Sequence, residues 1–436
     1  MYFCCQLKLE GQIEGITEGQ LEYIKNVIEK EGLNASKVTF EAVGGAADNY
    51  SANVKRLVIE GENGTSTMIA KIAPSFELLR QGMGVVLLFH NEHLIFTEIL
   101  PKMLQLQKQA DVPEEDQIKF PKCYGTNMEA PNEVILLEDL KTSGFVMLDR
   151  FKSLTDEHMY SVLRNLAIYH SLSYVIKNKE PETYDYFKDH LADMLGALTQ
   201  AGPEQLGFFY QIEALSVGLL DDPEQQNIVK NKVSYRTSIV PFVYSCSCTL
   251  LHDMIPIPQK QTPDSRNIIR LRIIAFNNIY SILFFQGETL KQSMLIDYQL
   301  SKNFSPVYDL IYLIFNCTDH ETRVKYFYNW IDYYHSELDK SLSNYGQKAN
   351  DVYPRNQLDA DLNRYGKLGF SFAVLISALL TIKPDEASRM KDAIENERTD
   401  EMVEMMGEII NVIIIIIISL LMFPLLGHRP PLYERE

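Results

Sequence analysis

The sequence predicts an α+β fold in two lobes, on three observations. The first third alternates short β-rich runs with turn residues. After residue 140 the apolar spacing turns helical, and only one strand-like run, at 291–297, interrupts it. The chain has 436 residues, 46% hydrophobic and 23% charged, which is ordinary globular composition and enough to bury a large bilobal core.

In chain order, "TEGQLEYIKNVIEKE" at 17–31 places Leu21, Ile24, Val27 and Ile28 at helical spacing. Strands follow at 37–42, 52–60 and 67–72, separated by "GGAADN" at 44–49 and "GENGT" at 61–65, so the sheet opens antiparallel. A long helical pattern covers 86–107, and "EVILLEDL" at 133–140 is a further strand. Helical patterns then run at 155–179, 181–200, 205–220 and 224–238, and after the 291–297 strand at 307–317, 320–343, 356–381 and 384–397. The organisation read from this is an N-terminal helical extension at 1–34, a sheet lobe at 35–140, a helical lobe at 141–400 and an apolar tail at 401–436. No internal repeat is visible.

A net charge of −17 argues against a general nucleic-acid binder, which needs a basic face. Six cysteines, at 4, 5, 123, 246, 248 and 317, fit no zinc spacing and read as reduced thiols of a cytoplasmic protein. The start, "MYFCCQLKLEGQIEG", is a poor signal peptide. Near the end, "IINVIIIIIISLLMFPLL" at 409–426 is 18 residues without a charge, at the lower limit for crossing a bilayer. It fits a C-terminal membrane anchor, a buried segment, or an incorrectly predicted C-terminus.

Several charged residues stand where charge is costly. Asp297 follows the apolar run Met294, Leu295 and Ile296, and a carboxylate there needs a partner, such as a magnesium ion carrying a nucleotide. Lys71 lies among apolar strand neighbours in "TMIAKIAP", and Glu92 lies in the helix that follows. A strand lysine paired with a glutamate of the next helix orients nucleotide phosphates in kinase-like folds. Gly44 and Gly45, between two strands, let backbone amides approach a phosphate, although two glycines in a hairpin also make an ordinary turn. The strand "VILLEDL" ends at Glu138, Asp139 and Leu140, where hinge backbone groups would meet an adenine edge. Glycines, lysine, glutamate, hinge and aspartate follow one another in the order of a nucleotide clamp.

The blocks "FPKCYG" (120–125), "NEVILLEDLKTSGFVMLDR" (132–150), "LAIYHSLS" (166–173), "GETLKQSMLIDYQLS" (287–301) and "SPVYDLIYLIF" (305–315) resemble the insect ecdysteroid-kinase-like proteins, also called the CHK kinase-like family, relatives of choline and aminoglycoside kinases. The resemblance implies a bilobal protein-kinase-like fold, ATP with magnesium, and phosphoryl transfer to a hydroxyl of a small molecule, a steroid among the candidates. It implies that Lys71 holds phosphates, Glu92 orients Lys71, Asp297 binds magnesium, and Asp309 anchors the site from beneath. His170 matches a histidine of the long helix and reads as packed core rather than catalyst. The aromatic-rich "RVKYFYNWIDYYHSEL" at 323–338 reads either as lining of an apolar acceptor pocket or as ordinary core and surface.

One part of the family pattern is missing. The family carries His-Gly-Asp-x-Trp-x-Asn-Asn, in which the aspartate takes the acceptor proton and the second asparagine binds magnesium. Here "TLLHDMIPIP" at 249–258 offers His252 and Asp253, and "AFNNIYSILFFQGETL" at 275–290 offers Asn277 and Asn278. The family places that asparagine five positions after the aspartate, whereas Asn278 lies 25 after Asp253. The catalytic loop at about 246–282 is therefore disrupted. A faulty gene model, a diverged and impaired kinase, and a long insertion that still converges are the three readings. On this sequence Asp253 stands at a degraded base position, Asn278 and Asp297 are the metal ligands, and a pseudokinase or binding module is the alternative to an active kinase.

Overall fold

The computed structural model describes residues 7–43, 52–77, 80, 84–148, 152–192, 223, 271–272, 282–286, 289–366, 385–386 and 388–389. Their architecture is α+β, with a sheet-rich lobe first and a helical lobe after it.

The first lobe contains β1 (Lys8–Gly11), α1 (Glu18–Lys30), β2 (Ala35–Ala42), β3 (Asn53–Gly61), β4 (Gly64–Ile72), α2 (Val85–Leu94), α3 (Leu100–Gln109), β5 (Cys123–Asn127) and β6 (Val134–Glu138). The six strands form one sheet in the order β1-β2-β3-β4-β6-β5. All neighbours are antiparallel except β1 and β2, which run parallel. Glu62 and Asn63 form the two-residue turn between β3 and β4, closed by Gly61 opposite Gly64. Gly64 takes φ +109°, a conformation closed to most side chains.

Thr17 caps α1: its Oγ1 accepts from the Gln20 amide at 3.1 Å, and Gln20 Oε1 accepts from the Thr17 amide at 2.9 Å. The Gln20 side-chain Nε2 donates to Ala73 O at 2.9 Å, which ties the helix to the end of β4. Ile24, Val27 and Ile28 of α1 pack on Val38, Phe40, Leu57, Met68, Ala70, Ile72, Val134 and Leu136 of the sheet. From the stretch at 1–34, read from sequence as an extension, the described residues thus add a parallel edge strand and a covering helix to this lobe. The strand alternation of β4 turns Met68, Ala70 and Ile72 to α1, so Ile69 and Lys71 face the other way, towards the second lobe. The helix predicted at 86–107 is α2 and α3 joined by a π-helical turn at Ile95–Ile99.

The second lobe contains β7 (Phe145–Met147), α4 (Asp156–Lys179), α5 (Pro181–His190), β8 (Leu271–Arg272), β9 (Ile282–Gln286), β10 (Thr289–Met294), β11 (Lys302–Asn303), α6 (Val307–Cys317), α7 (His320–Ser343), α8 (Ala349–Val352) and a helix at 355–366. The axis of the lobe is α4, which is buried along most of Met159 to Ile176. Against it α7 sets Phe327, Trp330, Ile331, Tyr334 and Leu338, the 3- and 4-residue spacing of one helix face. The aromatic run at 323–338 is therefore core on this face, while Tyr328 on the other is exposed. Trp330 is fully buried, and its indole donates to Asp156 Oδ1 at 2.6 Å.

Asp319 caps α7, accepting from the Thr322 amide at 2.8 Å. Hydrogen bonds from Thr322, with a further one from Ser153, hold its carboxyl down at about 2. Because the folded value lies below the ordinary one, this stabilisation is complete above pH 4 and fades as pH falls towards 2. Asp319→Ala is expected to cost about 1 kcal/mol at pH 7. Urea unfolding of both proteins between pH 7 and pH 2.5 should show that difference shrinking at the acid end.

The helices predicted at 205–220, 224–238 and 384–397, and the apolar stretch at 409–426, lie outside the described residues, apart from the isolated positions given above. Among the described residues no helix is long and apolar enough to cross a membrane.

Candidate functional site

Lys71 stands opposite Val54 of β3 and Ile135 of β6. With these apolar neighbours an unpaired ammonium would be expensive. Instead it is paired twice, donating to Glu92 Oε2 from α2 and to Asp297 Oδ1 at 2.8 Å. Burial on its own would lower the Lys71 pKa, but the Asp297 and Glu92 carboxylates outweigh burial and raise it above the ordinary lysine value. Lys71 is therefore a fixed positive charge at neutral pH. Burial pushes the Glu92 carboxyl up, the Lys71 ammonium opposes this, and the net direction is upward.

Asp297 follows β10 with φ +65°, in the left-handed region. A non-glycine residue there costs about 1 kcal/mol, and such strain persists only where the surroundings impose it. The neighbour Tyr298 meets Phe96 of the π-helical turn edge-on at 5.5 Å and stacks on Tyr169 of α4 at 6.1 Å. The strand with the lysine, the helix with the glutamate and the loop with the aspartate thus meet at one point. Three residues spread over 226 positions of sequence form the cluster that the sequence order suggested.

Glu138 ends β6; its amide donates to Lys122 O at 2.8 Å, and its carboxylate accepts from Ser143 Oγ at 2.7 Å and from the Lys122 amide at 3.1 Å. Asp139 is buried and accepts from Arg56 Nε at 2.7 Å. Its backbone carbonyl accepts from the Thr142 amide at 3.0 Å and the Thr142 hydroxyl at 2.7 Å. Leu140 is buried with Phe145 and Met294. The Glu138 amide and the Asp139 carbonyl, expected to be open to an adenine edge, are thus engaged within the protein, and Arg56 latches this segment to β3. Sequence reasoning missed Arg56, because 83 residues separate it from its partner. Gly44, Gly45, Asp253 and Asn278 lie outside the described residues.

Below the cluster, His170 of α4 bridges two helices. Its Nε2 donates to Asp309 Oδ2 at 3.0 Å, and its Nδ1 lies 2.8 Å from the Tyr334 hydroxyl. All three side chains are buried. They form a structural brace of the helical lobe, as sequence reasoning expected for His170 and Asp309.

The donor set fits a magnesium ion carried by a nucleotide. Magnesium takes one or two carboxylates and fills its octahedron with phosphate and water oxygens. Asp297 supplies one carboxylate whose Oδ2 has, among the described residues, only a 3.4 Å contact, from Gln299 Nε2. Among the described residues no three acidic, histidine or cysteine groups gather to hold a bare ion.

A sequence model of the ecdysteroid kinase-like family matches residues 46–212 and 275–347, together more than half of the chain. The match lapses over 213–274, the stretch that contains Asp253. No curated protein matches the chain. Among solved structures, the chain is similar to the GDP complex of aminoglycoside 2'-phosphotransferase-IIIa, at 11% identity over 91% of this chain and 98% of that one, with a TM-score of 0.39. It is similar to ethanolamine kinase of Plasmodium vivax, at 13% identity over 92% and 90% of the two chains, with a TM-score of 0.40. It is also similar to spectinomycin phosphotransferase in complex with ADP and spectinomycin, at 14% identity over 89% and 97%, with a TM-score of 0.36.

Proposed function

The chain belongs to the ecdysteroid kinase-like family, and from that premise we propose that it is an ATP-dependent small-molecule kinase with an alcohol acceptor, a steroid being the first to test, and with an impaired catalytic loop. The observation that carries this reading is the buried meeting of Lys71, Glu92 and Asp297. Phosphoryl transfer needs charge placed around the migrating group more than it needs covalent help from the protein. Lys71 is the cation for the phosphates, Glu92 fixes its direction, and Asp297 is the carboxylate for a metal. The segment at 138–140 would flank the nucleobase. Magnesium, when bound, spreads the charge that develops on the transferred group.

In the reaction the acceptor oxygen forms a bond to the γ-phosphorus, the bond to the ADP oxygen breaks, and the hydroxyl proton goes to a base. Asp253 stands at the degraded base position, in the stretch where the family match lapses, and is proposed not to serve as an efficient base. Losing a general base slows turnover by roughly 10²–10⁴-fold. The same lapse favours a second reading, a nucleotide-binding pseudokinase. The test is transfer of labelled γ-phosphate from ATP to a polyhydroxylated steroid, choline and an aminoglycoside by the full chain. The expected result is slow transfer, unchanged by Asp253→Asn. Fast transfer abolished by Asp253→Asn would overturn the impaired reading and make Asp253 the base. No transfer with retained nucleotide binding would select the pseudokinase.

A further inference from the structure

His90, Asn91 and Glu92 are consecutive on α2. Successive helical residues point about 100° apart, so these three reach different neighbours. Glu92 meets Lys71 of β4, and His90 Nε2 lies 3.0 Å from His190 O at the end of α5. Asn91 takes a third direction and is 1% exposed. Its Nδ2 donates to Ala192 O at 3.0 Å, Gln299 O at 3.2 Å and Ser301 O at 3.2 Å. Its Oδ1 accepts from the Ala192 amide at 2.8 Å. An amide N–H can only donate, so this last bond fixes which end of the side chain is oxygen. The two N–H groups of Asn91 are shared among three carbonyls, two of which lie just beyond Asp297.

The loop at 297–301 needs such a hold. Asp297 is in the left-handed region, and the Ser301 amide turns back onto Tyr298 O at 3.0 Å. A turn of that kind stays only where its surroundings fix it. We infer that Asn91 is a positioning residue that fastens the helix of Glu92 to the loop of Asp297 and so keeps the two carboxylates on Lys71 in the nucleotide-free protein. The inference rests on the proposed nucleotide role of Asp297, and it adds the group that sets Asp297 in place. Asn91 is also the joint through which the segment at Ala192 touches the site.

The test uses the full chain with Asn91→Ala and Asn91→Asp. The second variant keeps the size and the acceptor but turns an oxygen towards the carbonyls, so it serves if Asn91→Ala does not fold. Hydrogen exchange followed by mass spectrometry, without nucleotide, should show amides at 298–303 and at Ala192 exchanging about tenfold faster, the loss of one or two buried hydrogen bonds. Exchange in α7 and in the β3–β4 hairpin should be unchanged. In nucleotide titrations the magnesium concentration giving half-maximal ATP binding should rise about tenfold, while metal-free ATP affinity moves less than about threefold. Unchanged exchange at 298–303, faster exchange spread evenly over the chain, or an unaltered magnesium requirement would overturn the inference. If the wild-type chain binds no ATP, the kinase reading falls, and the exchange measurement still decides whether Asn91 holds the loop.

Discussion

Asp297→Asn is expected to leave the fold intact and to remove the magnesium-dependent part of ATP binding. Asparagine tolerates the left-handed backbone that Asp297 adopts, so the turn survives the change. Lys71 keeps Glu92 as its partner, so no buried cation is left alone. What disappears is the negative charge that a metal would meet. Removing one preorganised electrostatic contact of this kind typically slows chemistry by roughly 10²–10³-fold. Any γ-phosphate transfer by the chain should fall by at least that factor, with urea unfolding close to wild type. Transfer that persisted in Asp297→Asn would remove Asp297 from the site.

Asp309→Ala is expected to have the largest effect on stability. The carboxylate is 2% exposed and His170 is 1% exposed. Truncation strips His170 Nε2 of its acceptor and unties α6 from α4. Leaving this buried donor unsatisfied costs about 1–3 kcal/mol, against a total stability of about 5–15 kcal/mol for a typical domain. Urea or thermal unfolding should register the whole loss. Asp309→Asn, which keeps an oxygen for His170, should lose less. A stable but inactive Asp309→Ala protein would mean that Asp309 takes part in the chemistry rather than bracing the lobe.

The sequence showed the parts of the site that violate local expectation. Lys71 and Asp297 stood out because a charge inside or beside an apolar strand needs a reason, and Glu92 followed from its place in the next helix. Asn91 and Arg56 did not stand out. An asparagine in a helix and an arginine in a strand read as exposed residues, and their partners lie 208 and 83 positions away. Only folding turns them inward. Alternation and helical spacing marked β2, β3, β4, β6, α1, α4, α6 and α7 closely. Alternation did not mark β1, whose sequence KLEG has two charges in four residues, or β5, whose sequence CYGTN has little β-branching. Both exist because a neighbouring strand offers a ladder to join. The π-helical turn at Ile95–Ile99 was equally hidden, since a continuous apolar run fits either helix period.

The proposed nucleotide clamp of Lys71, Glu92 and Asp297 works with magnesium. Calorimetric titration of the full chain with ATP, with and without magnesium, tests this most directly. The expected result is saturable one-to-one binding that magnesium tightens at least tenfold, about 1.4 kcal/mol. Absence of ATP binding, or binding of equal strength with and without magnesium, would contradict it.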